Sequence, residues 1–389
     1  MFIVADVGIV MPVYKQNSKI FKKAIESIIN QKYFNFQFVI VIDGITPNVE
    51  RIAQHYARKD PRIIVISRQN NSGTAAALNI GFDYLMKQRK IEFLTWVSSD
   101  NIYYPNFVEV LRKQLKKSPP EVGLAYGSFR FVNDQGKKID KNYNLLKWQN
   151  QPKENLVNYY FLGYAFMYKK RIAQKIEGYK YTPVEDLDFF LRLTEHCDIT
   201  FVPIELMDFR LNSPHSNSIE INNSEEKRRM RRYLMFLVMN EALQRRNISP
   251  ELTIIFPVGD SSEKSIQALE NILDQFLSNF KLIIYDVSAN KEFLPVINEI
   301  PDIRTQYFSA PSGNLDEISL KSLELADTRF VMFFRSENCF QHPEQLKEML
   351  NAACTNPFNS QGSAGLVYPK FGKIYPKEYL SSLLNDNNN

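Results

Sequence analysis

Two stretches of this chain spell out one pattern, so a single fold has to suit both. Val7–Val13 reads V-G-I-V-M-P-V and Leu252–Val258 reads L-T-I-I-F-P-V, with proline in the same place. Phe36–Asp43 is echoed by Phe280–Asp286, and Asn71-Ser72-Gly73 by Pro311-Ser312-Gly313. Phe93–Asn101 (F-L-T-W-V-S-S-D-N) is echoed by Phe330–Asn338 (F-V-M-F-F-R-S-E-N), and Gly123–Tyr126 by Gly365–Tyr368. Correspondences that keep their order mark an internal duplication.

Each copy alternates strand-like and helix-like segments. Val7–Val13 is apolar throughout, as expected of a strand buried on both faces. Lys19–Asn30 places Phe21, Ala24, Ile25, Ile28 and Ile29 on one helical face. Strands are expected at Phe36–Ile42, Ile63–Ile66, Phe93–Val97 and Val122–Tyr126. Helices are expected at Pro47–Arg58, from Ser72-Gly73 through Lys87, and at Asn106–Lys117, the last ended by Ser118-Pro119-Pro120. Such alternation implies an α/β fold: a Rossmann-like, mostly parallel sheet with helices on both faces, followed by a smaller repeat. With 389 residues the chain has length for two cores. The expected divisions are a catalytic domain over 1–224, a helical linker over 225–250 and a degenerate second copy over 251–389. In that copy Glu337 stands at the place of Asp100, and fewer positions follow it than separate Asp100 from Asp186. A truncated, non-catalytic copy is therefore expected.

Composition narrows the compartment. Hydrophobic residues at 44% with 23% charged are ordinary for a soluble globular protein. A net charge of +5 is compatible with an anionic substrate or membrane surface and demands neither. Cys197, Cys339 and Cys354 are too scattered for a disulfide framework or a zinc site, which fits a reducing cytosol. Met1–Val13 has neither the basic start nor the cleavage site of a secretory signal. No apolar run reaches the roughly 18–20 residues of a membrane span. The expectation is a cytoplasmic protein, with the inner face of the membrane as a further candidate place. Glu225–Arg246 bears on that point, because Lys227, Arg228, Arg229, Arg231 and Arg232 precede an apolar run. That pattern suits a helix on an anionic membrane, and it suits a linker helix packed between domains with its basic side in water.

The chemistry gathers at strand ends. Asp100 follows the Phe93–Val97 strand, where α/β sheets bind ligands. A carboxylate there can hold Mg²⁺ or Mn²⁺ against a diphosphate, since both prefer oxygen ligands. Glu185-Asp186, with Asp188, forms a second acidic cluster able to supply a general base. The same pair would also stabilise a helix start. Asp43 ends a strand at a Gly turn and can accept from a base or ribose, or simply cap the turn. Ser72-Gly73 opens a helix whose N–H groups favour phosphate.

In their order, these motifs resemble those of the family 2 glycosyltransferases of GT-A fold, over about the first 220 residues. The resemblance rests on Val10-Met-Pro-Val-Tyr14, Val41-Ile-Asp-Gly44, Asn71-x-Gly73 with Asn79, Ser98-Ser-Asp-Asn101, and Val184-Glu-Asp-Leu-Asp188 followed by Arg192, with Gly178-Tyr179 upstream. It implies an inverting transfer from a nucleotide-diphosphate sugar, UDP-linked by preference, to a hydroxyl of a glycan, lipid-linked or protein acceptor. Pro12, Val13, Tyr14, Asp43, Gly73, Asn79, Ser99 and Asp100 would bind the donor. Asp100 and His215 would hold Mn²⁺ or Mg²⁺, and Asp186 would be the base with Glu185 orienting it. Trp148 and Asp188 would meet the acceptor, and Arg192 would pair with the acidic cluster. Ser98 stands where the D-x-D motif usually begins with Asp, and Asn101 replaces a frequent Asp, so metal binding should be weaker. Trp96 reads as core. No nucleic-acid partner is expected, and a homodimer through the second copy would cover its apolar surface. Two other readings remain: a sugar- or nucleotide-binding scaffold whose transferase activity has decayed, and a nucleotidyltransferase. The latter lacks its glycine-rich loop, because Met11–Gln16 contains no glycine.

Overall fold

The computed structural model describes residues 5–44, 46–140, 144–211, 221, 223–309, 322–355 and 370–387. His215 and the echoes at Pro311–Gly313 and Gly365–Tyr368 lie outside these residues. The chain divides into two compact units, Met1–Arg231 and Arg232–Asn389.

The first unit begins β1 (Val7–Val13), α1 (Ser18–Ile29), β2 (Phe36–Asp43), α2 (Pro47–Ala57), β3 (Ile63–Arg68), α3 (Thr74–Met86) and β4 (Phe93–Trp96). It continues β5 (Ile102–Tyr103), α4 (Phe107–Lys117), β6 (Val122–Val132), α5 (Leu145–Gln149), β7 (Ala165–Lys169), α6 (Lys170–Ala173), α7 (Glu185–Leu193) and β8 (Asp198–Arg210). The eight strands form one sheet in the order β3-β2-β1-β4-β7-β6-β8-β5. β1 to β4 are parallel where they pair; β7 runs antiparallel to β4 and β6, β8 parallel to β6, and β5 antiparallel to β8. The strand expected at Val122–Tyr126 continues to Val132, and the antiparallel strands were not expected.

Strand alternation explains the two helical layers. Ile9, Met11, Phe38 and Ile40 face one side, where they meet Phe21 and Ile25 of α1, Val49 and Ala53 of α2, and Phe107 and Leu111 of α4. Asn17 caps α1, its side chain accepting from the N–H groups of Lys19 (2.9 Å) and Ile20 (3.2 Å). The alternate residues face α3. There a Cβ at Gly81 would fall 2.5 Å from Val10 Cγ1, so only glycine lets α3 lie this close to β1.

The second unit takes up α8 (Glu225–Arg245) from Arg232 onward and runs β9 (Leu252–Val258), α9 (Glu263–Leu273), β10 (Phe280–Asp286), α10 (Leu294–Glu299) and β11 (Thr305–Ser309). It ends with β12 (Phe330–Phe333), α11 (Gln345–Thr355), β13 (Ile374–Pro376) and α12 (Lys377–Asn387). Its sheet order is β11-β10-β9-β12-β13, with β13 antiparallel. That order reproduces β3-β2-β1-β4-β7 of the first unit. The register repeats as well: Val7 lies opposite Phe36 and Phe93, and Leu252 opposite Phe280 and Phe330. Phe38 lies opposite Ile63, and Leu282 opposite Thr305.

The register also corrects one expected echo. Asp286 lies opposite Val258, as Ile42 lies opposite Val13. It therefore falls one residue short of Asp43, and a one-residue slip in a strand turns a side chain to the other face.

In α8, Phe236, Val238, Met239, Ala242 and Leu243 are buried, and the Arg304 guanidinium lies 3.5 Å from the centre of the Phe236 ring. Arg232 pairs with Glu270 and, at 2.7 Å, with Asp274. The apolar side of the helix is thus packed against protein. Among the described residues no helix is long and apolar enough to cross a membrane.

Candidate active site

The parallel strands β1, β2 and β4 end along one edge of the sheet, and the expected site residues stand there. Asp43, at the end of β2, is 4% exposed. Its Oδ2 accepts from the backbone N–H groups of Ser72 (3.0 Å) and Gly73 (2.8 Å), and its Oδ1 meets Arg68 at 3.1 Å. It thus fixes the loop that leads into α3. Gly44 next to it has a φ of +103°, and a Cβ there would come within 2.9 Å of the Tyr14 ring and 3.1 Å of the Asn71 nitrogen. Only glycine fits that turn. Tyr14 itself is 39% exposed, with the Lys15 ammonium 5.1 Å from its ring centre. Pro12 is half-buried and Val13 buried beneath it. An accessible aromatic ring therefore stands over the Asp43–Gly44 turn and the Asn71–Gly73 loop.

Two expected donor contacts are otherwise engaged. The amide of Asn79 donates to the Tyr179 carbonyl (2.9 Å) and accepts from the Tyr179 N–H (2.7 Å). It staples α3 to the Gly178-Tyr179 turn. The N–H groups near the start of α3 are partly spent too, since that of Ala75 donates to Thr182 Oγ1 at 3.2 Å.

The turn after β4 is clamped from several sides. The Ser98 N–H donates to the Tyr103 hydroxyl (3.2 Å), and Gln16 Nε2 reaches Ser99 Oγ at 3.4 Å. Asn101 is buried, and its Oδ1 accepts from the Arg210 N–H at 3.0 Å. The Arg210 side chain donates to the Asp100 carbonyl (3.2 Å) and to the carbonyls of Asn133 (3.0 Å) and Asp134 (2.5 Å). The end of β8 thereby holds the half-buried Asp100 at the sheet edge. Burial raises the Tyr103 hydroxyl well above its ordinary value; the Ser98 N–H opposes this, and the charges of Asp100 and Asp186 add to it. One buried hydroxyl thus senses both carboxylates.

Asp186 sits in the first turn of α7. Its Oδ1 accepts from the Trp96 indole N–H at 3.0 Å; the Tyr160 hydroxyl close to it donates to the Gly163 carbonyl at 3.0 Å. Although part of the residue stays accessible, burial of its carboxyl pushes its pKa far up, and the Glu185 carboxyl adds to the shift. Glu185 is 8% exposed. Burial lifts it to about 7, against its own backbone N–H and the Thr182 hydroxyl. Among the described residues its Oε2 has no hydrogen-bond partner. Two adjacent carboxyls in so little water hold a proton to higher pH than ordinary acids do.

The remaining expected residues are placed elsewhere. Asp188, expected beside the acceptor, is buried against Arg192 at 2.5 Å, one turn along α7. Arg192 was expected to pair with the acidic cluster; besides Asp188 it grips the carbonyls of Glu177 (2.5 Å) and Gly178 (2.8 Å). This buried pair clamps a turn. Trp148 lies half-buried on α5, and its backbone N–H donates to the Asn144 carbonyl.

Trp96 is buried, as expected of a core residue, and its indole also holds Asp186. A buried indole needs an acceptor for its N–H, and Trp96 immediately precedes the turn that carries Asp100. Tyr103, Thr182 and Arg210 gave no sequence signal, because their partners are far away along the chain.

The family model for glycosyl transferase family 2 matches residues 8–177. Residues 8–177 are a family 2 glycosyltransferase segment. The match covers every element from β1 to α6, and the Glu185-Asp186 pair follows directly after it. An uncharacterized glycosyltransferase of Rickettsia bellii is 23% identical over 88% of this chain and 55% of its own length. One from Methanocaldococcus jannaschii is 29% identical over 53% of this chain and 70% of its own. The chain thus spans little more than half the length of the Rickettsia relative. Among solved structures, a mannosyltransferase from Pyrobaculum calidifontis, in complex with GDP-Man and Mn²⁺, superposes with a TM-score of 0.47. It is 12% identical, over 98% of this chain and 86% of that one. The glycosyltransferase segment thus supplies the Asp43 loop and the Asp100 turn, and α7 brings the acidic pair to them.

Proposed function

We propose that the first unit is an inverting glycosyltransferase that moves a sugar from a nucleotide-diphosphate donor to an acceptor hydroxyl. The observation that carries this reading is the 3.0 Å hydrogen bond from Trp96 to Asp186. It ties the acidic pair to the end of the strand whose turn carries Asp100. In this reading Asp186 is the general base. Its charge is supported by the Trp96 indole N–H, which holds the carboxylate at the end of that strand. The two carboxyls share a proton, and Asp186 takes the acceptor proton once the pair has released it. The acceptor oxygen attacks the anomeric carbon from the side opposite the diphosphate while its proton passes to Asp186. The bond to the diphosphate breaks with its electron pair, so the anomeric configuration inverts.

Asp100, with the hydroxyls of Ser98 and Ser99 beside it, is a set of hard oxygen donors that suits Mg²⁺ or Mn²⁺. Such an ion would neutralise the leaving diphosphate when bound. One protein carboxylate is a weak holder, so donor phosphates would complete the site. Tyr14 and the Asp43–Gly44 turn suit the base and ribose, with UDP as the first donor to try. The acceptor hydroxyl belongs to a glycan, lipid-linked or protein acceptor.

A panel of UDP- and GDP-sugars, with and without Mn²⁺, tests this on wild type and Asp100→Ala. One donor should bind and turn over in a metal-dependent way, and turnover should collapse in Asp100→Ala. No binding to any donor would overturn the transferase reading in favour of a scaffold.

A further inference from the structure

The glycosyltransferase chemistry leaves the opposite end of the first sheet unexplained. A cavity of about 760 Å³ opens where β4 begins at Phe93 and the antiparallel β7 ends at Lys169. The Asp43 and Asp100 turns lie at the other ends of the parallel strands. Six cationic side chains line the cavity: Lys87, Arg89, Lys116, Lys169, Lys170 and Arg171. Glu92 is the single acid in its wall.

The simpler explanation is that these cations satisfy helix C-termini. In part they do. Lys170 donates to the Gln88 carbonyl at 2.8 Å, Lys169 to Pro119 at 3.4 Å, and Arg171 to Pro120. These carbonyls follow the ends of α3 and α4, whose orphan acceptors need donors. Carbonyls position ammonium and guanidinium groups but do not neutralise them. Lys116 has Asp6 at 3.7 Å, but Asp6 is shared with Arg112. Glu121 lies near Lys169, and Glu92 acts on Arg112 as well. Lys87 and Arg89 are exposed at the rim. The acids nearby are thus too few for the cations, and burial together with the Arg171 charge makes Lys169 give up its proton more easily than usual. Unmatched cations held around a cavity form a receptor for a multiply charged anion.

We infer that this cavity binds a phosphate-bearing ligand, at a site separate from the donor site. The shared chemistry is a phosphate or diphosphate group, carried by a soluble molecule or a lipid headgroup.

The test uses the full chain, with pyrophosphate as the soluble probe and vesicles of phosphatidylglycerol, or of phosphatidylcholine as the neutral control. Lys87→Glu/Arg89→Glu is compared with wild type and with Asp100→Ala, and Lys87→Gln/Arg89→Gln serves if charge reversal impairs folding. Calorimetry should detect pyrophosphate binding that survives Asp100→Ala and weakens at least tenfold in the cavity variant. It should also fall as salt rises. If that occurs and the protein stays off both vesicles, the ligand is soluble. Sedimentation with phosphatidylglycerol vesicles alone, abolished in the cavity variant, assigns the phosphate to a headgroup. Pyrophosphate and vesicle binding that are both unchanged in the folded cavity variants would overturn the inference.

Discussion

The two units share one sheet plan and differ at the ends of their strands. β1, β2 and β4 of the first unit match β9, β10 and β12 of the second in order and register. Asparagine stands at the same place in both turns with different partners: Asn101 Oδ1 accepts from the N–H of the distant Arg210, whereas Asn338 Oδ1 accepts from the Arg335 N–H of its own turn at 2.8 Å. The chemistry does not carry over. Trp96 becomes Phe333, which has no N–H to hold a carboxylate. Ser98 becomes Arg335, which stacks 3.6 Å from the centre of the Phe371 ring. Asp286 turns to the face opposite that of Asp43, where Ser288, Phe293 and Tyr307 occupy its oxygens. The fold needs buried apolar strands, and both units have them. The site needs particular polar groups at the strand ends, and among the described residues only the first unit assembles them.

The largest expected effect falls on the base. Asp186→Asn keeps an oxygen that can accept from Trp96 but removes the proton acceptor. Transfer should drop about 10²–10⁴-fold, measured as kcat with the donor identified by the panel. A rate within a few-fold of wild type would remove Asp186 from the mechanism.

Next comes the substitution that makes the first unit most like the second. Trp96→Phe gives β4 the residue of β12 and deletes the indole hydrogen bond. A bond to a charged group is worth roughly 1.5–3 kcal/mol, so kcat should fall by about tenfold or more while KM for the donor changes little. Loss of a donor to the charged form also raises the pKa of Asp186, so the rising limb of the pH profile should move up. An unchanged profile would mean that Trp96 only fills space.

The acidic pair makes a related prediction with a definite sign. Glu185→Gln removes a neighbouring charge, which makes Asp186 easier to ionise, and the rising limb should move to lower pH. Stability responds too. Both carboxyls have raised pKa values in the folded state, so the folded chain binds more protons than the unfolded one. Stability is full below the ordinary carboxylate range and declines as pH rises through neutrality. Denaturant unfolding at pH 5 and pH 8 should show this decline in wild type and a smaller one in Glu185→Gln.

Asn79→Ala should cost stability and spare catalysis. Its two bonds to Tyr179 are internal, so removal should destabilise the first unit by about 1–3 kcal/mol, with KM for the donor unchanged. A large rise in KM instead would return Asn79 to the donor site.

Much of this was legible in the sequence, for physical reasons. Strands buried on both faces must be continuously apolar, so β1, β2 and β4 announced themselves. Asp43, Asp100 and the Glu185-Asp186 pair follow directly on strand or helix boundaries, which local patterns mark. β7 and β8 were not legible. A-F-M-Y-K is too short to tell from a helical turn, and Pro203 interrupts β8. Side-chain partners were hidden as well. Asp188 looked like part of an acidic cluster until its bond to Arg192 appeared, and the near-coincidence of Asp43 with Asp286 concealed a one-residue slip.

The smallest effect probes the second unit alone. Glu337 occupies the place of Asp100, but its side chain is 67% exposed and meets Lys264 at 3.5 Å. An exposed pair of this kind contributes little, about 0–1 kcal/mol, because water screens both charges and the side chains resist being fixed. Glu337→Ala should therefore leave transfer unchanged and shift unfolding by no more than about 0.5 kcal/mol. Asp100→Ala, at the matching place in the first unit, should abolish metal-dependent turnover. Equal losses from both substitutions would mean that the second unit also holds a donor, and that the difference drawn from its strand ends is wrong.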